Sequence, residues 1–225
     1  MRRFSRTSSF LFSVLLITVL CAMTTVAVAD TPVYVKASST KLRAKASSSA
    51  TPLANLDQFT PVTHKSDEGD FALVETNSGK TGYVKKSDLS DNPFVSVSGS
   101  YANMRSGPKA GDPVLWKVKK GWPLKVLDRE GPRVKVTDFE GSTGWIYESL
   151  LSSKNYVVVK LDWINLREGP GLDKDGKPKY AKRFTAERGV IFEVLKEKDG
   201  WLLVRHSDND EAWCSANIVW GYKPE

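Results

Sequence analysis

A six-residue signature, Asn, apolar, Arg, any residue, Gly, Pro, occurs twice in this chain. It reads Asn103-Met104-Arg105-Ser106-Gly107-Pro108 and, sixty-two positions later, Asn165-Leu166-Arg167-Glu168-Gly169-Pro170. A signature recurring at such a spacing confines the chain to a repeated structural unit. One more step of the same length toward the N-terminus reaches Lys41-Leu42-Arg43, which keeps the apolar-Arg pair but has lost the Asn and the Gly-Pro. A second anchor gives the period independently. Gly82-Tyr83-Val84, Gly144-Trp145-Ile146 and Ala212-Trp213-Cys214 each read small, aromatic, apolar, at intervals of 62 (82 to 144) and 68 (144 to 212). Val74, Val136 and Val204 stand eight residues before them. The chain therefore holds three copies, the first degenerate. The third is lengthened by six residues, which fall in the surface loop around Leu172-Asp173-Lys174-Asp175-Gly176-Lys177-Pro178.

Within each copy the apolar pattern has a period of two, broken often by turn residues. Val95-Ser96-Val97, Leu124-Lys125-Val126, Val134-Lys135-Val136 and Trp145-Ile146 in the second copy have counterparts in the third at Val157-Val159, Ile191-Leu195, Leu202-Arg205 and Trp213-Cys214. No useful helical period interrupts them. Five short strands in about sixty residues predict a small closed or nearly closed barrel, because closure removes exposed sheet edges. A unit this small is near the lower limit for standing alone, so close packing between copies is expected.

The motif, the Gly-Trp-Ile step and the Lys120-Gly121-Trp122-Pro123-Leu124 or Arg188-Gly189-Val190-Ile191-Phe192 opening of the middle hairpin resemble bacterial SH3-like domains, in three tandem copies. The resemblance spans residues 33 to about 220 and implies an all-β fold of three tandem small SH3-like β-barrels. The expected organisation is a signal peptide over residues 1–29, then domains at 30–91, 92–153 and 154–225. Short linkers, Ser90-Asp91-Asn92-Pro93 and Ser152-Ser153-Lys154-Asn155, predict a semi-rigid rod.

The signal peptide rests on Arg2, Arg3 and Arg6, an apolar run from Phe10 to Leu20, and Ala27-Val28-Ala29 as a cleavage site. It predicts an exported protein, periplasmic or secreted, with no membrane span after cleavage, since the run is shorter than a bilayer requires. Residues 30–225 carry thirty basic and twenty-six acidic residues, a net +4, against +7 for the whole chain. By copy the balance is 0, +3 and +1. No dense basic patch points to nucleic acid. Only Cys214 remains after cleavage, so no intrachain disulfide is available and the fold rests on its cores.

Catalysis would have to be assembled from His64, His206, Cys214 and scattered carboxylates. Cys214 aligns with Val84 and Ile146, as a core residue would, and His64 aligns with Val126 and Val194. A hairpin tip between His206 and Glu211 sets Cys214 opposite Leu203, about 10 Å from His206 at ~3.3 Å per residue, too far for a nucleophile pair. Neither a nucleophile elbow nor a zinc-binding helix is present. Asp173-Lys174-Asp175-Gly176 lacks the later ligands of a calcium loop and reads as a turn. No catalytic, metal or cofactor site is expected.

Binding chemistry is better supplied. Strand alternation places Ala102 and Met104 on one face and Tyr101, Asn103 and Arg105 on the other; the third copy repeats this with Trp163, Asn165 and Arg167. An aromatic, an amide and a guanidinium on one face suit stacking and hydrogen bonding to a ligand, although each also has a packing or turn-bonding role open to it. Trp122, Trp220 and Tyr222 are further candidates for exposed contacts, Trp201 is expected half exposed, and Trp116, aligned with Phe184, is expected to pack. The resemblance implies a non-catalytic envelope protein engaging peptidoglycan or another wall ligand. A structural adaptor binding envelope proteins is the alternative.

Overall fold

A computed structural model describes residues 30–223, so the expected signal peptide lies outside the described residues. The fold is all-β: three seven-stranded antiparallel sheets, each with a single 3-10 turn before its two-residue seventh strand. The first contains β1 (Thr31–Val35), β2 (Ser39–Arg43), β3 (Pro52–Asp57), β4 (Pro61–Glu68), β5 (Phe71–Thr76), β6 (Thr81–Lys85) and β7 (Leu89–Ser90). The second contains β8 (Phe94–Val97), β9 (Tyr101–Arg105), β10 (Val114–Lys119), β11 (Pro123–Glu130), β12 (Arg133–Thr137), β13 (Thr143–Tyr147) and β14 (Leu151–Ser152). The third contains β15 (Tyr156–Val159), β16 (Trp163–Arg167), β17 (Lys182–Glu187), β18 (Ile191–Lys198), β19 (Trp201–Arg205), β20 (Glu211–Ser215) and β21 (Val219–Trp220). Strand order is the same in all three, β3-β2-β6-β5-β4-β1-β7 and its equivalents. The barrel-like, all-β units expected from the alternating pattern form, with seven strands in each rather than five.

Each sheet carries register shifts at matching places, in β4 between His64 and Ser66, in β11 between Val126 and Asp128, and in β18 between Val194 and Lys196. An extra residue on one strand increases local twist, which bends a long strand around a small core. Each barrel encloses its own core. Val35, Leu42, Val74 and Val84 fill the first; Met104, Leu124, Val136 and Ile146 the second; Leu166, Phe192, Val204 and Cys214 the third. Cys214 pairs with Leu202, one position from the Leu203 expected, because the closing hairpin aligns Arg205 with Glu211. Both Cys214 and Leu202 therefore face the core, and burial pushes the thiol up to about 12, leaving no thiolate near neutral pH. His64, half-buried like the aligned Val194 and unlike the fully buried Val126, has its Nε2 2.8 Å from Asp67.

The barrels pack on one another. Tyr34 and Phe59 of the first barrel belong to the second barrel's core cluster, and the Tyr34 hydroxyl donates to the Val126 carbonyl at 3.4 Å. Arg129 of the second barrel reaches back to Asp57 and to the Gln58 carbonyl. Asn77 donates to Asp128 at 2.9 Å. On the other side Trp220 packs edge-on against Phe94 at 4.9 Å, Lys223 meets Asp91 at 2.5 Å, and Asn92 donates to Asn155 at 3.1 Å. The third barrel's end is thus tied to the linker between the first two. This corrects the expected rod, and it takes Trp220 and Tyr222 out of the set of free contacts: Tyr222 packs on the third core and donates to Glu197.

Candidate functional site

Strands β2, β9 and β16 share one alternation, in which the second and fourth residues are buried and the first and third exposed. The period of two therefore delivers the face expected from the sequence. Tyr101 is 57% exposed and Trp163 67%, with Asn103 and Asn165 exposed beside them. The Lys117 ammonium lies 4.6 Å from the Tyr101 ring, and Trp163 stands opposite Glu187. The degenerate copy has Ser39 and Lys41 at these places.

The motif arginine does something else. In every copy its Nη1 donates across the following loop to a backbone carbonyl: Arg43 to Ala50 at 2.9 Å, Arg105 to Asp112 at 2.7 Å, Arg167 to Tyr180 at 3.1 Å. The same loop is closed by a backbone bond, Ala44 to Thr51, Ser106 to Pro113 and Glu168 to Ala181. On the neighbouring strand the arginine faces the aromatic of the Gly-aromatic step, as Arg43 with Tyr83, Arg105 with Trp145 and Arg167 with Trp213. The arginine is thus a loop clamp, which explains its survival in the degenerate copy. The motif glycine serves the same loop. A Cβ on Gly169 would stand 2.7 Å from the Tyr180 ring, so only glycine lets the returning loop lie this close.

The six-residue insertion is what turns this loop into a wall. Leu172 bridges Pro178, and the Asp173 carboxylate accepts from the backbone amides of Asp175 and Lys177, each at 2.9 Å, so the segment folds as a tight turn. Between this wall and the barrel runs an open groove of about 540 Å³, with Asn165 and Arg167 on one side and Trp201, Ser215 and Asn217 on the other. One register position decides its floor. Trp201 pairs with Ser215, Arg133 with Tyr147 and Phe71 with Lys85. In the second barrel Tyr147 lies over Arg133, 3.3 Å from guanidinium carbon to ring centroid, and Phe71 is buried in the first. A small Ser215 leaves the Trp201 indole open to the groove.

The seven residues anticipated as contacts thus divide. Asn165 and Arg167 meet in the groove; Trp163 lies on the same strand face, two residues before Asn165; Tyr101, Asn103 and Arg105 make a separate face on the second barrel. Trp122 is not the exposed contact expected. Pro123 and Leu124 carry the chain straight into the core, and the indole folds onto that core, 5.9 Å from Phe139, with its Nε1 buried and unpaired among the described residues. Conversely, Trp116 shares the register of Phe184 but not its packing: Phe184 stacks on Phe192 at 6.4 Å, whereas Trp116 is 45% exposed. The groove's Trp201 and Asn217 carry no motif. Their signals in the sequence are the six-residue insertion and the Ser215 that stands where the second copy has Tyr147.

Comparison with protein families matches a bacterial SH3 domain to residues 98–153 and again to 160–221, and a second bacterial SH3 domain type to residues 38–90. The chain belongs to the bacterial SH3 domain family. Among curated proteins it resembles the "Putative N-acetylmuramoyl-L-alanine amidase YrvJ" of Bacillus subtilis strain 168. The two are 24% identical over 159 residues, covering 60% of this chain and 30% of that protein, so the match spans under a third of the relative. Solved structures with loose likeness are NlpC2 and NlpC1 of Trichomonas vaginalis, each with a TM-score of 0.29. They are 14% and 13% identical and cover 84% and 89% of this chain and 93% of each of theirs. At such scores they carry no argument. Among the described residues of this bacterial SH3 protein, no helix is long and apolar enough to cross a membrane.

Proposed function

We propose that this protein is a non-catalytic, exported binding protein of the bacterial cell envelope, whose third SH3 domain engages peptidoglycan or another wall ligand in the groove floored by Trp201. The observation that carries this reading is the meeting of Asn165, Trp201, Ser215 and Asn217 around one open groove of about 540 Å³, whose wall Arg167 clamps, within the range of ligand sites. Side-chain amides and a hydroxyl offer hydrogen bonds, and the indole offers an apolar face, which suits the amide-rich peptide or the sugar rings of a wall polymer. The exposed Trp163 and the Tyr101-Asn103 face of the second barrel supply weaker additional contacts, and several weak contacts on one polymer reinforce one another. Family membership and the amidase name of the B. subtilis relative support the envelope setting.

Cosedimentation of residues 30–225 with purified peptidoglycan sacculi across a salt series tests the reading. Retention that survives high salt, is lost in Trp201→Ala, and weakens in the Tyr101→Ala/Trp163→Ala double variant is expected. Retention that disappears with salt alike in all three proteins reduces it to charge. No retention at any salt overturns it in favour of an adaptor that binds envelope proteins.

A further inference from the structure

A second cleft, about 580 Å³, opens between the second and third barrels, away from the Trp201 groove. Lys119 and Lys120, at the end of β10, line one side; Arg188, Arg205 and His206 of the third barrel line the other. Most of its charges are already matched. Arg205 is held by Glu211 through bonds of 2.9 and 2.7 Å, and Arg188 by Glu140 at 3.3 Å. Glu193 is met by Lys154 at 2.9 Å and His206 by Asp208 at 2.9 Å. Lys119, Lys120 and Glu187 form no ion pair among the described residues, which leaves two ammonium groups against one carboxylate.

The first barrel shows how the same turn is closed elsewhere. Its counterparts of Lys119 and Lys120 are Asp57 and Gln58, and they receive Arg129 of the next barrel: the carboxylate at 3.4 Å, the Gln58 carbonyl directly. There the turn supplies the anion. In the second barrel it presents cations to a wall that already contains cations, and the junction stays open. Two adjacent junctions of one chain thus carry opposite charge at the same turn.

From this we propose that the cleft between the second and third barrels binds a phosphate group, with Lys119 and Lys120 as its direct ligands. A phosphate ester carries at least one negative charge and two or more free acceptor oxygens, enough to engage two independent ammonium donors and to balance the single excess charge. The cleft is larger than one oxyanion, so the phosphate belongs to a larger molecule. Its formation needs both barrels in fixed relation, which the Trp220–Phe94 and Lys223–Asp91 contacts supply.

The test is a titration of residues 30–225 with glycerol phosphate, followed by amide chemical shifts at Lys120 and Gly189 and by melting temperature, which a ligand of the native state raises. A parallel arm uses vesicles with and without phosphatidylglycerol. Saturable shifts at the cleft, weakened at least tenfold in Lys119→Glu/Lys120→Glu and unchanged in Lys109→Glu, are expected. Glycerol phosphate binding without vesicle binding assigns a soluble or polymer-borne phosphate; lysine-dependent vesicle binding alone assigns a lipid headgroup. Binding equal in the double variant and the wild type, a diffuse response shared by all surface lysines, or no response in either arm overturns the proposal.

Discussion

The first and third barrels have the same strand order and the same arginine clamp, yet they have diverged in opposite directions. The turn before the middle hairpin shows it most sharply. Gly121 and Gly189 adopt φ of +75° and +82°, a region that favours glycine, while the first barrel places Phe59 there at +63°. A non-glycine residue in this region costs about 1–2 kcal/mol. The return is a ring only 5% exposed, seated in the core cluster of the neighbouring barrel, where burial of a phenylalanine stabilises by roughly 2–3 kcal/mol. At the equivalent Gly121 a Cβ would stand 3.0 Å from the Tyr156 ring that packs there, so a side chain would have to push that ring aside. The first barrel has also lost the exposed aromatic, has the short form of the clamped loop, and buries the residue at its groove floor. It has become a brace for the second barrel; the third has kept its surface and added to it. Repetition thus frees copies to separate holding from presenting, because each barrel has a core of its own and its outer surface is left to change.

The largest effect that would break this contrast is at Phe59. Phe59→Ala is expected to cost about 3 kcal/mol in urea unfolding, whereas Phe59→Gly recovers about 1 kcal/mol of that loss by accepting the same backbone angle. A cost below about 1 kcal/mol for the alanine variant, on the same scale of side-chain burial, would remove the brace. Arg129→Ala comes next, at roughly 1–2 kcal/mol for its charged hydrogen bonds, with loosening between the first two barrels visible in small-angle scattering. An unchanged scattering profile would show that the apolar contacts alone fix the pair. Gly169→Ala drives a methyl against the Tyr180 ring and displaces the inserted wall, so retention on sacculi is expected to fall severalfold. Gly107→Ala meets only the movable Asp112 carboxylate and should change it less; equal effects would deny the third barrel its special role.

The smallest effect concerns His64, where the other copies have valine. A hydrogen bond from His64 first of all, then the nearby Lys86, holds the Asp67 carboxyl below the ordinary carboxylate range. A lowered carboxylate pKa contributes stability that is present above the unfolded value and lost as pH falls through the folded one. His64→Gln is therefore expected to raise the Asp67 value and to trim stability only above that acid window. A carboxyl titration by NMR that fails to move would show that Lys86 suffices.

Alternation along Tyr101–Arg105 and Trp163–Arg167 was readable because a strand's side-chain direction follows from the local backbone alone. The clamp was visible as a repeated spacing, but its meaning was not: Arg105 and Arg167 look like ligand contacts until the loop carbonyls they reach are placed. Trp116 and Phe184 align, and only the volume beneath them separates one from the other. Trp122 and Trp220 looked exposed because the surfaces that cover them come from chain far away in sequence.

By itself, then, the sequence determined the number of copies, their all-β character, the alternating faces and the position of the inserted loop, since each is encoded in spacing and near-neighbour periodicity. Tertiary structure alone decided that Phe59 would cross into another barrel, that the third barrel's end would return to the first linker, that Trp201 would floor a groove, and that two lysines would be left without a carboxylate. Those outcomes depend on which surfaces meet and how much volume and charge each brings, and no fixed spacing along the chain records that.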